Sequence, residues 1–332
     1  MALDVLQPVE RRRRRRGRSR RRVFLLLLLA AALAAAGFVA SERWAHGHAG
    51  PKEAKAAPVA LPKPKRKPAR KTPPLRLLVA GPRDRHVFRP PIAASGAVLV
   101  DAGTGRVLWA KRPHARLLIA SLTKIMTAKL ALERLPLGTH VEVRKVVTRV
   151  ALVREGLRPG ERPAAWKLLY GLLLYSGNDD ALALAIATAG SRGAFIDLMN
   201  EKARQLGLRD THFTTPSGVV DRGNRSSAWD LAALTRYAMR DARFRRIVRT
   251  RIAHIRWSPP TFEKVYVNKN DLLRTYRGAD GVKTGWTTLA GHCLVASAHR
   301  HGRHLIAVVL RSPNPYGDAT RLLNFGFRQP ST

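Results

Sequence analysis

The sequence predicts a mixed α/β fold of the α+β kind: an antiparallel sheet flanked by helices, with a mostly helical subdomain inserted. Three observations predict it. Short β-type runs open and close the patterned part of the chain, a block of helical periodicity separates them, and one more helical segment ends it. The chain has 332 residues, 45% of them hydrophobic, which is ample to bury a core and excludes a wholly disordered or collagen-like chain.

Regular patterning begins near Ala93. Gly96–Val100 and Arg106–Ala110 are β-type runs around Asp101-Ala-Gly-Thr-Gly105, which reads as a hairpin. A helix opened by Ser121 follows, with Leu122, Ile125, Met126 and Leu130 at helical spacing. Helical character then runs through Trp166–Tyr175, Asp180–Ala189, Phe195–Leu206 and Ser227–Arg240. In the third of these, Phe195, Leu198, Met199, Ala203 and Leu206 fall on one face, and Ser227-Ala-Trp-Asp230 is a capping-box variant. Strand character returns at Gly281–Lys283, Gly291–His299 and His304–Leu310, and Ala319–Phe327 forms the last helix.

The chain carries 61 Lys+Arg against 22 Asp+Glu, a net charge of +39. That excess suggests nucleic acid, but aromatics are only 6% and basic residues scatter over every segment, so no specific nucleic-acid partner is expected. The densest block, Arg11–Arg22, ends at Val23, where an uncharged run of 18 residues (23–40) begins. As a helix this run reaches roughly 27 Å, enough to cross a bilayer core. Positive-inside bias then keeps residues 1–22 cytoplasmic and sends the rest across, giving a single-pass membrane protein. Ala34-Ala35-Ala36 could serve as a processing site, so an uncleaved anchor, the favoured reading, stands beside a cleaved signal. Residues 41–91 alternate Pro with Lys, Arg and Ala and read as an extended, solvated linker, leaving 92–332 as the folded module.

One cysteine, Cys293, excludes an intramolecular disulfide and a Cys-based zinc site. His299, His301 and His304 cluster at a strand–turn–strand junction read as a solvated turn with no neighbouring carboxylate, and no metal is expected.

Chemistry concentrates in three motifs. Ser121-Leu-Thr-Lys124 places a hydroxyl and an amine on one helix face, and a desolvated lysine can take the proton that makes serine nucleophilic. A free N–H at a helix start also offers a donor to a developing oxyanion. Ser176-Gly177-Asn178 puts a hydroxyl and an amide at a tight loop between helices. Lys283-Thr284-Gly285 presents a cation and a hydroxyl on a strand whose glycines admit a substrate backbone.

Ser-x-x-Lys, Ser-x-Asn and Lys-Thr-Gly in this order form the signature of class A β-lactamases and penicillin-binding proteins, with Gly177 in place of Asp. From about Ala93 to Phe327 the chain resembles the serine-type D-alanyl-D-alanine carboxypeptidases, the low-molecular-mass penicillin-binding proteins. The segments carrying the likeness include Ala120–Ala128, Leu168–Asp179, Thr215-Pro216-Ser217-Gly218, Asn268–Leu273 and Asp280–Thr287. The resemblance implies a β-lactamase/transpeptidase-like fold and no cofactor. It implies peptidoglycan stem peptides ending in D-Ala-D-Ala as substrate and β-lactams as covalent inhibitors. Ser121 would be the nucleophile, Lys124 its base and Ser176 a proton relay. Asn178 would orient Lys124 and the substrate amide, Lys283 and Thr284 would bind the terminal carboxylate, and Ser121 and Trp286, beside Gly285, would supply oxyanion donors.

Two departures stand out. Where the family often has a carboxylate-binding Arg, this chain has Pro315, with Arg311 as the substitute. The β-rich second domain and C-terminal anchor of some relatives are not expected after Phe327. The rival readings are a β-lactamase, for which Glu201 is the nearest acid but sits in a carboxypeptidase-like Met199-Asn-Glu-Lys202, a DD-endopeptidase on the same site, and an inactive basic wall- or nucleic-acid-binding module.

Overall fold

The computed structural model describes residues 77–79, 90–219, 223–257 and 262–330. The Arg block, the apolar run 23–40 and the linker through 76 lie outside the described residues. The centre is a six-stranded sheet of β1 (Leu78–Val79), β2 (Gly96–Asp101), β3 (Arg106–Lys111), β8 (Ala279–Thr287), β9 (Gly291–Arg300) and β10 (Arg303–Ser312), ordered β1-β3-β2-β10-β9-β8. The expected hairpin is present as β2–β3, and β8, β9 and β10 pair antiparallel in sequence order. Within the stretch read as linker, Leu78–Val79 adds a short edge strand parallel to β3.

Both sheet faces are buried, which is why β9 and β10 read as nearly unbroken apolar runs. Along β10, Leu305, Ala307 and Val309 pack with Leu322, Leu323 and Phe325 of the last helix. Ile306, Val308 and Leu310 point the other way, into a larger core shared with the helical insertion. The helices are α1 (Lys124–Arg134), α2 (Ala165–Tyr170), α3 (Asn178–Ala189), α4 (Arg192–Leu206), α5 (Ala228–Ala238), α6 (Ala242–Val248), α7 (Leu272–Thr275) and α8 (Pro315–Arg328). All five residues assigned to the inner face of α4 are buried. Two small antiparallel pairs complete the insertion: β4 (Leu117–Leu118) with β5 (Arg225–Ser226), and β6 (Ile252–Ile255) with β7 (Lys264–Val267).

Several expectations are corrected. Ser121 does not open an α-helix: Ala120–Thr123 is a 3₁₀ turn and α1 starts at Lys124, because the Ser121 hydroxyl is held by the Lys124 amine rather than capping backbone. The helix expected over 166–175 widens into a π turn at Gly171–Tyr175 and stops at Ser176, whose φ is 76°. Ser227 caps α5 by accepting the Asp230 N–H, but the box is half made, since the Asp230 carboxylate accepts the Asp210 N–H and Thr211 hydroxyl instead. The histidine turn does have a neighbouring carboxylate: Asp280 lies 3.1 Å from His304 Nε2. Even so, no group of three metal-ligating side chains occurs among the described residues.

Candidate active site

A cleft of about 220 Å³ opens beside the β8 edge of the sheet, lined by Ser121, Ser176, Lys269, Thr284, Gly285 and Trp286. The turn carrying Ser121 is wedged there by two glycines. At Gly218, whose φ is +77°, a Cβ would overlap the Ala120 carbonyl. On the other side a Cβ at Gly285 would stand 3.2 Å from the Ser121 nitrogen, so β8 runs close against the turn.

Lys124 is wholly buried, and its Nζ is shared by three oxygens. It lies 3.0 Å from Ser121 Oγ, 2.8 Å from Asn178 Oδ1 and 3.0 Å from the Ser217 carbonyl. Burial, then the positive charge of Lys283, holds its pKa well below that of a free lysine, an effect that Lys269 reinforces and that Asp180 and Asp179 oppose. A neutral amine in this position can accept the serine proton. Lys283 is 1% exposed, its Nζ donates to the Thr284 carbonyl at 3.1 Å, and burial followed by Lys269 brings its pKa down to about 7.

The Ser176 turn is fixed from two directions. The Ser176 N–H donates to the Gly171 carbonyl, closing the π turn, and its left-handed backbone sets the side chain on the cleft wall. Behind it, Asn178 donates from Nδ2 to the Ala151 carbonyl and from its backbone to the Val153 carbonyl. Asp179 accepts the N–H groups of Glu155, Gly156 and Leu157. Residues 151–157, which place Val153 in the cleft, are thus tied to the residues that follow Ser176.

Of the residues expected at the site, Ser121, Ser176, Thr284, Gly285 and Trp286 line the cleft, and Lys124 and Asn178 touch behind Ser121. Lys283 is buried next to them rather than lining the opening. Pro315 lines the cleft. Arg311 sits on a bulge in β10 with φ 51°, near enough to partly offset the burial that lifts the Cys293 thiol to about 11. Two contributors were not singled out from sequence. Ser217 acts through its carbonyl and carries no side-chain signal. Lys269 stands between Asn268 and Asn270, whose amides fold its turn through bonds to Val248, Thr250 and Leu272; that Asn-x-Asn pattern was the available cue.

Comparison with known proteins agrees with this geometry. Residues 84–314 match the family model described as D-alanyl-D-alanine carboxypeptidase. The chain is 37% identical over 248 residues to D-alanyl-D-alanine carboxypeptidase DacF of Bacillus subtilis, covering 72% of this chain and 63% of that one. It is 37% identical over 260 residues to a D-alanyl-D-alanine carboxypeptidase of Streptomyces sp. K15, covering 73% and 89%. The crystal structure of the Streptomyces K15 DD-transpeptidase superposes with a TM-score of 0.69 at 35% identity, over 73% of this chain and all of that one.

Proposed function

The chain belongs to the D-alanyl-D-alanine carboxypeptidase family, and from that premise we propose that it removes the terminal D-alanine from peptidoglycan stem pentapeptides through an ester on Ser121. The observation that carries the proposal is the fully buried Lys124 amine, 3.0 Å from Ser121 Oγ, whose hold on a proton is weakened by burial and by Lys283.

Ser121 Oγ attacks the carbonyl between the two D-alanines while its proton passes to Lys124 Nζ. Asn178 holds that amine, and the backbone N–H groups of Ser121 and Trp286, both in the cleft lining, would donate to the oxygen that gains charge. The tetrahedral intermediate collapses as the C–N bond breaks; Ser176 gives its hydroxyl proton to the departing D-alanine amine and takes in its place the proton held by Lys124, which leaves that amine neutral again. Lys283, in its protonated form, and the Thr284 hydroxyl attract the terminal carboxylate. Water then attacks the ester carbonyl as Lys124 takes its proton, and that proton passes to Ser121 Oγ as the ester C–O bond breaks, restoring the free serine and neutral lysine.

Penicillin would acylate the same serine and stay there. Supporting this, no glutamate lines the cleft among the described residues, and Glu201 lies on α4, where it accepts from Gln205. We further propose that residues 23–40 anchor the protein in the bacterial membrane with the catalytic module outside. That reading is supported by the Arg block abutting an uncharged apolar run.

Labelling with a fluorescent penicillin is expected to mark the wild type and not Ser121→Ala, and a pentapeptide ending in D-Ala-D-Ala is expected to release free D-alanine. A Ser121→Ala protein that still labels would remove the basis of the mechanism.

A further inference from the structure

Beneath the Ser176 turn lie two carboxyl groups that the mechanism does not use. Asp180, in the first turn of α3, is fully buried, and neither of its carboxylate oxygens has a hydrogen-bond partner. Glu155, from the loop that forms the cleft wall, has a side chain only 2% exposed. Its Oε1 pairs with Lys264 of β7, and its Oε2 has no partner. The two groups meet in a cradle left by glycines. A Cβ at Gly171 would overlap Glu155 Oε2 and stand 2.5 and 2.7 Å from the Asp180 oxygens, while one at Gly177 would overlap Asp180 Oδ2.

Two ionised carboxylates facing each other in a buried space, where neither Asp180 oxygen receives a hydrogen bond, are opposed by both repulsion and lost hydration. One proton resolves the conflict, since the protonated carboxyl donates to the other and Lys264 balances the remaining negative charge. We propose that Glu155 and Asp180 share a single proton and act as positioning residues, clamping the cleft wall at 151–157 onto the Ser176–Asn178 turn. In keeping with this geometry, burial and then the Glu155 charge raise the Asp180 pKa well above the carboxylate range. The groups facing the pair are Asp179 beside it, Lys264 and Tyr266 from β7, and Lys124 from α1. The Tyr266 hydroxyl, itself buried without a partner, is pushed up by burial and by Glu155. Lys264 is the cation bonded to the pair, and burial weakens the hold of Lys124 on its own proton, so loss of the shared proton would leave two facing anions against one paired cation.

The inference rests on Ser121 being the acylated residue, and its test separates the two. The full chain, Asp180→Asn and the second variant Glu155→Gln are compared from pH 5 to 10. The readouts are the rate of Ser121 labelling by fluorescent penicillin and the unfolding equilibrium. Both variants keep side-chain shape and put an amide donor where the shared proton was. The ratio of wild-type to Asp180→Asn labelling rate cancels the limb both enzymes share through Lys283, and it is expected to fall several-fold as pH rises. For stability, the folded wild type holds one proton more than the unfolded chain from about pH 4 up to the raised pKa. Its unfolding constant should therefore rise relative to either variant by on the order of tenfold per pH unit in that window. Parallel unfolding slopes would overturn the shared proton, and different slopes with a flat rate ratio would overturn its positioning role. Absence of Ser121 labelling in every protein would sink the proposed function while the unfolding slopes still decide the pair.

Discussion

Replacing Lys283 with Met should stabilise the fold while abolishing acylation. The side chain is 1% exposed, and burial with the nearby Lys269 charge brings its pKa to about 7 against 10.5 for an ordinary lysine. At 1.36 kcal/mol per pH unit, that gap corresponds to about 4–5 kcal/mol spent on holding a charged amine inside. The sign follows from proton counting. The unfolded chain keeps its proton up to about pH 10.5, whereas the folded chain releases it near 7. The penalty is therefore full below pH 7, shrinks between 7 and 10.5, and vanishes above. Met fills similar volume without charge but loses the amine's bond to the Thr284 carbonyl, about 1 kcal/mol. A net gain of about 3 kcal/mol at pH 6 is expected, on the order of 5–10 °C in Tm, fading by pH 10. Penicillin labelling should collapse on two counts. The substrate carboxylate loses its cation, and Lys124, still buried but relieved of its positive neighbour, regains part of its affinity for a proton and is less available as a base. Thermal unfolding at pH 6, 8 and 10, with labelling rates on the same samples, reads both effects. A Tm at pH 6 equal to or below the wild type, with an unchanged dependence on pH, would refute the reasoning.

Asn178→Asp places a carboxylate 2.8 Å from Lys124 Nζ, which favours the ammonium form. Labelling near neutral pH should drop about 10–100-fold and recover as pH rises, on the scale of a charged hydrogen bond; an unmoved acid limb would contradict the assigned base. Gly218→Ala forces a Cβ into the Ala120 carbonyl at φ +77°. It should cost about 2–4 kcal/mol in denaturant unfolding and displace Ser121 enough to slow labelling, and wild-type values for both would show that the turn tolerates a side chain.

How much of this was legible in the sequence depended on the distance over which each feature acts. Ser121 and Lys124 are three residues apart, so one helical turn brings them together whatever the rest of the chain does. The buried face of α4 was readable for the same reason, since Phe195 through Leu206 need only helical periodicity. The β6–β7 hairpin was missed because its strands are four residues each and mix apolar with basic side chains, with Ile252, Val265 and Val267 left exposed. The pairing of Asp280 with His304 joins β8 to β10 across the intervening β9, an approach that no run of adjacent residues foretells. Ser217, which contributes only a carbonyl, needed the folded cleft before it could be recognised, whereas Lys269 had a cue in its flanking asparagines.

Composition and local spacing were sufficient for the layered α+β plan, the order of the three motifs and the resemblance they carry, because periodicity and short-range geometry are properties of the chain itself. Charge state was not. Lysine is an ordinary cation until burial strips its water, and only the packed fold removes water from Lys124 and Lys283 and sets them near each other. Folding likewise brings Glu155 against Asp180 and turns two acids into a pair that holds a proton. The chemistry proposed at Ser121 therefore depends on desolvation and on contacts between residues distant in sequence, and both come into being only when the core closes.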